Sequence, residues 1–368
     1  MTDRRTRVER LPGRITPVRA GEGRSIVLFL LFASLLLVCA TVALAADGLP
    51  LFADDAVLPL VFELDFGDVC RNPESGECTP AAGVIRVTDA GGRLRELDVS
   101  YRTRGRWRRE TGHCALPALF LEFDDTQTAG TPFAGQHTLP FTTHCQYHRP
   151  EYQAWAILEY LAYRYYTLVT EASIRVRLAR IEYRDTGSRR RYTRYGFFSE
   201  HFRDVGRRIG AEWLDVDKID VRQTDPTELA ALSVFQFMIG HLDWSAAELH
   251  NTTAFRRAEG PIVVVPFDFD YAGLVDTEYA VPPRGLGVHD VRQRRYRGFC
   301  REGIDWDALF TRFADLHEPV IDLLREQEGL RSKERSRAEH YLEAFFGTMD
   351  SEALRRRQII EACRPLPD

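Results

Sequence analysis

Between two apolar stretches the chain carries His241-Leu-Asp243-Trp-Ser-Ala-Ala-Glu-Leu-His250-Asn251. After the apolar run Pro261-Ile-Val-Val-Val-Pro266 it continues as Phe267-Asp268-Phe-Asp270. An acid after a helix, an Asn eight residues later and an acid leaving the next strand are groups that phosphoryl transfer uses. Asp243 can take the proton of an acceptor hydroxyl. Asn251 and Asp268 supply the oxygen ligands that Mg²⁺ demands and can hold it against phosphates. Asp270 is a substitute, because either acid of Asp-Phe-Asp could face the metal. The same residues have plainer uses. Asp and Asn cap helices and shape loops, His241 and His250 suit hydrogen bonding better than metal ligation, and Trp244 reads as core or as a loop anchor.

Three short windows resemble atypical kinase-like proteins, chiefly the spore-coat CotH-type family and more distantly the HipA-type kinases. The first is Asp243…His250-Asn251…Asp268-Phe-Asp270. The second, Arg102-Thr-Arg104-Gly105-Arg106, is similar to that family's early arginine–glycine strand motif. The third, Phe198-Ser-Glu200, is similar to the strand and acidic residue that join the lobes. The resemblance spans about 95 to 300. It implies a kinase-like two-lobed fold, ATP, Mg²⁺ (or Mn²⁺) and an unknown protein or small-molecule acceptor. It makes Asp243 the catalytic base, Asn251 and Asp268 metal ligands with Asp270 in reserve, and Glu159 the acid that orients a basic residue. Nucleotide contacts would fall to Arg104, Arg106, Glu159 and Glu200. The chain departs from the pattern at the basic residue, since no lysine precedes Lys218. Arg104 takes that place, with Arg106 behind it, because a guanidinium binds phosphate bidentately without losing its charge. A Gly-rich phosphate loop is also missing from the sequence, and Gly91-Gly92 reads as a turn.

The elements that must position these groups follow from periodicity. From about 58 to 145 the chain reads as strands, with apolar or alternating runs at Leu58 to Leu64, Val84 to Val87, Leu97 to Tyr101 and Leu119 to Phe123. Pro150 opens a helix in which Trp155, Leu158, Leu161, Tyr165 and Leu168 recur at three- and four-residue steps. Ile174 to Tyr183 and Tyr192 to Phe198 read as paired strands. Asp225-Pro226-Thr227-Glu228 starts a second helix that runs to about Gly240. Helical stretches near 305–327, 333–346 and 351–363 complete the chain. This order predicts an α+β protein, with a β-rich lobe over 46–200 and a mainly helical lobe over 201–368 that carries the site.

Residues 1–45 read as an address. Seven arginines against three acids in the first twenty-five residues precede a charge-free apolar run from Ser25 to Ala46, and Ala43-Leu44-Ala45 forms an A-x-A cleavage site. The segment is expected to be a secretory signal or an uncleaved membrane anchor, with the basic flank in the cytoplasm and the rest outside, periplasmic or extracellular. Removing its charge of +4 from the total of −5 leaves −9, which excludes a general nucleic-acid binder. Cys70, Cys78, Cys114, Cys145, Cys300 and Cys363 remain, an even number that suggests disulfides in an exported chain. Cys70 with Cys78 is the expected pair, and the other four stay open. Cys145-Gln-Tyr-His148 has ligand-like spacing, but no Cys-x-x-Cys completes a zinc set. The leading expectation is an exported phosphotransferase. The alternatives are an inactive binding or envelope-structural protein, and a metal-dependent hydrolase using His241, Asp243, His250 and Asp268.

Overall fold

Alternating burial along the first strands builds one dry face. In β1 (Leu58–Leu64) the inward residues are Leu58, Leu60, Phe62 and Leu64, and β2 (Ala81–Thr88), β3 (Leu94–Thr103) and β4 (Leu119–Phe123) continue the pattern. The computed structural model describes residues 50–67, 69, 79–105, 107–110 and 112–367. The apolar N-terminal segment, the Cys70–Cys78 pair and Arg106 lie outside these residues. After β5 (Thr138–Thr142) the chain forms the long helix α2 (Pro150–Val169), α1 being a single turn at Asp125–Thr128. It then returns as the hairpin β6 (Val176–Asp185) and β7 (Arg191–Ser199).

These seven strands close into a barrel in the order β1-β2-β3-β4-β5-β7-β6. All its pairings are antiparallel except β1 with β6, which runs parallel from Leu58↔Ala179 to Leu64↔Asp185. A parallel pair needs a crossover, and α2 lies within the chain that provides it. The interior is filled by rings, with Phe62 5.2 Å from Phe141 and Phe141 4.8 Å from Phe198 between centroids. Gly196 permits the narrow β5–β7 seam, because a Cβ there would lie 2.5 Å from the Phe141 ring and 2.7 Å from the Thr142 carbonyl.

The second half begins with α3 (Phe202–Ile209) and β8 (Ala211–Leu214). Helix α4 (Pro226–Ile239) starts where Asp225 accepts from the Thr227 and Glu228 amides, both at 2.8 Å, and ends at Gly240, which is left-handed with φ 66°. Strands β9 (Thr252–Arg257) and β10 (Ile262–Pro266) join β8 in a three-stranded antiparallel sheet. The C-terminal helices are α5 (Trp306–Asp315), α6 (His317–Glu326), α7 (Ser332–Met349) and α8 (Glu352–Arg355). A core cluster centred on α2, α4 and these helices adjoins separate clusters inside the barrel and under the small sheet.

The expected kinase-like two-lobed α+β architecture is not what forms. The strands before residue 200 close into a mixed barrel, and the later half is built on a sheet as well as on helices. Periodicity identifies strands but not which edges meet, and here β1 finds β6 across the whole intervening segment. Among the four cysteines left open, Cys114 pairs with Cys145 and Cys300 with Cys363. Two disulfides indicate an oxidising, non-cytosolic setting. Among the described residues no helix is long and apolar enough to cross a membrane.

Candidate active site

The end of β3 turns inward at Arg104, whose amide donates to the Ala118 carbonyl at 2.8 Å, and Gly105 (φ 78°) lets the chain reverse. A 3-10 turn, Trp107–Arg109, follows. It sends Arg108 to Glu159 of α2 at 3.1 Å and to Asp270 at 3.0 Å. Disulfide Cys114–Cys145 fixes the far end of this loop to the lead-in of α2, reinforced by the Leu116 amide on the Cys145 carbonyl at 3.1 Å. Arg104 donates to Thr142 Oγ1 at 2.8 Å, while its buried Nε has no hydrogen-bond partner.

The loop from α4 to β9 is a tight closed turn. Ser245 and His250 exchange backbone hydrogen bonds at 2.9 and 3.1 Å, and Leu249 and Asn251 are left-handed at φ 43° and 50°. Asn251 Nδ2 donates to the Asp243 carbonyl at 2.7 Å, so the amide oxygen is its remaining ligand atom. His250 Nε2 lies 3.1 Å from Asp243 Oδ1. Beyond β10, Asp268 is also left-handed (φ 61°), and its amide donates to the Tyr163 hydroxyl at 2.9 Å. Non-glycine residues held in this region cost of order 1–3 kcal/mol each and persist where the surroundings over-determine them. Phe269 is buried against Tyr163, Phe235 and His241, which pins the two flanking acids.

Arg104, Glu159, Asp243, Asn251, Asp268 and Asp270 thus line one cavity of about 240 Å³, together with Arg108 and Tyr271. Glu200 is elsewhere. It is buried and accepts from Arg208 at 2.7 and 3.0 Å and from the Arg175 amide at 3.2 Å, which makes it a brace for the start of the second half. The cation that Glu159 holds is Arg108, where the sequence pointed to Arg104. Asp270 is engaged by Arg108 and by the Tyr279 hydroxyl at 3.0 Å, which leaves Asp268 as the freer acid of Asp-Phe-Asp. His241 is buried, with Nδ1 3.1 Å from Gln236 Oε1, and burial holds its imidazole down at about 3; it does not line the cavity.

Charge is unbalanced here. Four acids (Glu159, Asp243, Asp268 and Asp270) face two guanidiniums, and burial lifts Glu159 to about 8, so three of them carry charge near neutral pH. Asp268 keeps part of its surface open, yet burial first and Asp270 second push its carboxyl up to about 6, against the pull of Arg108 and Arg104. Burial likewise raises Glu159, with Arg108 opposing and Asp270 and Asp268 adding to the rise. Burial works against the Arg108 charge, but Tyr279, Glu159, Asp270 and Asp268 outweigh it, and Arg108 stays fully cationic.

Such a cavity has room for a divalent cation that brings its own further ligands. Among the described residues no three His, Cys, Asp or Glu side chains form a ready metal set. Asp268 and the Asn251 amide oxygen would supply one carboxylate and one carbonyl. That fits Mg²⁺, which keeps waters and substrate phosphates in its shell, better than a metal caged by protein alone. No protein-family model and no curated protein matches this chain.

Proposed function

We propose that this protein is an exported phosphotransferase that moves the terminal phosphoryl group of a Mg²⁺-bound nucleoside triphosphate, ATP in the simplest case, to a hydroxyl acceptor. The observation that carries the reading is the single cavity lined by Asp243, Asn251, Asp268 and two guanidiniums, where three carboxylates still outnumber the cations once burial has lifted Glu159 to about 8. A polyphosphate alone would be repelled by that excess. Together with a divalent cation it is matched.

When bound, the metal supplies charge neutralisation along the phosphates. Asp268 and Asn251 would hold it. Arg104, on the cavity wall, would meet the phosphate oxygens with its guanidinium, and Arg108 adds a fixed positive charge oriented by Glu159. Asp243 accepts the acceptor's proton, with His250 and Asn251 fixing its orientation. In this reading the CotH-type resemblance concerns the site residues. The address lies outside the cytoplasm, consistent with the two disulfides, and the N-terminal segment is a cleaved signal or an anchor.

Thermal shift of the purified protein with ATP, with and without Mg²⁺, and transfer of label from ATP test the proposal. Asp268→Ala should abolish the Mg²⁺-dependent shift, and Asp243→Asn should keep the shift while removing transfer. Equal behaviour of wild type and Asp268→Ala overturns it. A binding protein without turnover is the second reading, favoured by Gly91-Gly92, which tips the β2–β3 turn and does not line the cavity. A nucleotide shift with no transfer to any hydroxyl acceptor would select it.

A further inference from the structure

Two hydroxyl side chains among the described residues line the Asp243 cavity, those of Thr142 and Tyr271. The Thr142 hydroxyl is engaged, since it accepts from Arg104 at 2.8 Å. Tyr271 differs. Its half-buried ring lies 5.8 Å from Tyr279, and its hydroxyl makes no hydrogen bond to any described residue. The other two tyrosines at the site are committed. The Tyr163 hydroxyl accepts from the Asp268 amide at 2.9 Å, and the Tyr279 hydroxyl donates to Asp270 at 3.0 Å.

The backbone fixes Tyr271 beside the groups that would do the chemistry. It follows Asp268-Phe-Asp270 directly, in a closed turn where the Ala272 amide meets the Phe269 carbonyl at 2.9 Å and the Val275 amide meets the Ala272 carbonyl at 3.0 Å. Phe269, Ala272, Leu274 and Val275 are all buried, which holds the turn in place. Two more amides tie it to the end of α4. Gly273 donates to the Gly240 carbonyl at 3.1 Å, and Leu274 to the Ile239 carbonyl at 3.0 Å. Asp243 comes just after Gly240, so one junction carries both the base and the phenol. Burial first, and then the charges of Asp270, Asp243 and Asp268, raise the phenol above its ordinary value, so Tyr271 enters the cavity as a hydroxyl.

Resting on the phosphotransferase reading, we propose that Tyr271 is an acceptor in its own chain, so that the protein phosphorylates itself inside its cavity. The phenolic oxygen bonds to the terminal phosphorus of the Mg²⁺-bound nucleoside triphosphate, and the bond from that phosphorus to its bridging oxygen breaks. The nucleoside diphosphate leaves, and the phenolic proton passes to Asp243. The new group carries about two negative charges at neutral pH, in a cavity where acids already outnumber cations. It also occupies the place of a second nucleotide's terminal phosphate, so the modified chain is closed to further nucleotide.

Incubation of the purified protein with Mg²⁺-ATP, followed by peptide mass spectrometry, tests the proposal, with thermal shift as the separate measure of nucleotide binding. A single phosphoryl group should appear on Tyr271, at a first-order rate that dilution of the protein leaves unchanged. The modified chain should no longer shift with Mg²⁺-ATP. Tyr271→Phe and Asp243→Asn should take no label, and their melting temperatures without nucleotide report that both fold. A wild type that shifts with Mg²⁺-ATP yet stays unmodified at Tyr271 overturns the proposal and leaves nucleotide binding standing. So does label that persists in Tyr271→Phe, a rate that rises with protein concentration, or a modified chain that still shifts fully. A wild type with neither shift nor label removes the phosphotransferase reading and the self-transfer with it.

Discussion

Arg108 sits between two buried acids and is itself mostly buried, so its charge cannot be replaced by water. Removing one partner of such a cluster typically costs about 3–5 kcal/mol, because the other charges stay buried without compensation. Arg108→Ala should therefore lose stability on that order in urea unfolding, and Arg108→Lys should recover part of it. A loss below about 1 kcal/mol, the value of an exposed pair, would remove Arg108 from the centre of the site. Asp268 makes a prediction of a different kind. Its folded carboxyl is raised to about 6 from an ordinary value of 3.8, so the metal-free folded state binds this proton more tightly than the unfolded chain. That stabilisation is complete below about pH 4 and is lost as pH rises through 6. In chelator, the wild-type stability should fall between pH 4 and 7 more steeply than that of Asp268→Asn, and identical slopes would contradict the shift. Residue types and spacing pointed to Asp243, Asn251 and Asp268, because carboxylate and amide oxygens stand out in a sequence, and the three do line one cavity. Arg108 was not legible, since five arginines crowd positions 102–109 and sequence cannot say which one turns inward.

At the scale of elements, the site depends on how strands and helices meet. The β5–β7 seam is short, pairing Phe141 with Phe198 and Thr142 with Phe197, and it brings Thr142 to the cavity wall. Gly196→Ala would press a methyl against the Phe141 ring and the Thr142 carbonyl. Overpacking of this kind costs about 1–3 kcal/mol, and amide exchange should quicken in β5 and β7 before other barrel strands. Uniform protection across the barrel would show that the seam tolerates the methyl. Helix α4 delivers Asp243 just past its C-terminus, and its start rests on the Asp225 cap; Asp225→Ala should cost about 1 kcal/mol. Both α2 and α4, and strands β1 and β4, were readable from periodicity. Strand β5 was not, because Thr-Leu-Pro-Phe-Thr is short and contains proline. Helix α3 was missed for its length and an internal glycine. The barrel itself was illegible, since closure is decided by the long-range match of β1 with β6 and not by any local pattern.

At the scale of the whole molecule, the two disulfides among the described residues divide stability from assembly of the site. Cys114–Cys145 closes 31 residues and Cys300–Cys363 closes 63, and chain-entropy reasoning assigns roughly 3–4 kcal/mol to each. Their surroundings differ. The first anchors the loop that carries Arg104 and Arg108 to the entry of α2, on which Glu159 lies. The second ties the segment before α5 to the C-terminal residues, where the Cys300 amide donates to the Arg364 carbonyl at 2.7 Å and neither cysteine lines the cavity. Replacing both cysteines of a pair by serine should lower the melting temperature in either case. Only the Cys114/Cys145 double variant should also lose Mg²⁺-ATP affinity, measured by titration at a temperature where both variants remain folded. Loss of affinity in the Cys300/Cys363 variant, or full affinity in the Cys114/Cys145 variant, would mean that the first disulfide does not hold the arginine loop in register. The expected outcome links the compartment to the site: in a reducing compartment the chain could build its barrel and helices, yet Arg104 and Arg108 would not be fixed opposite Asp268.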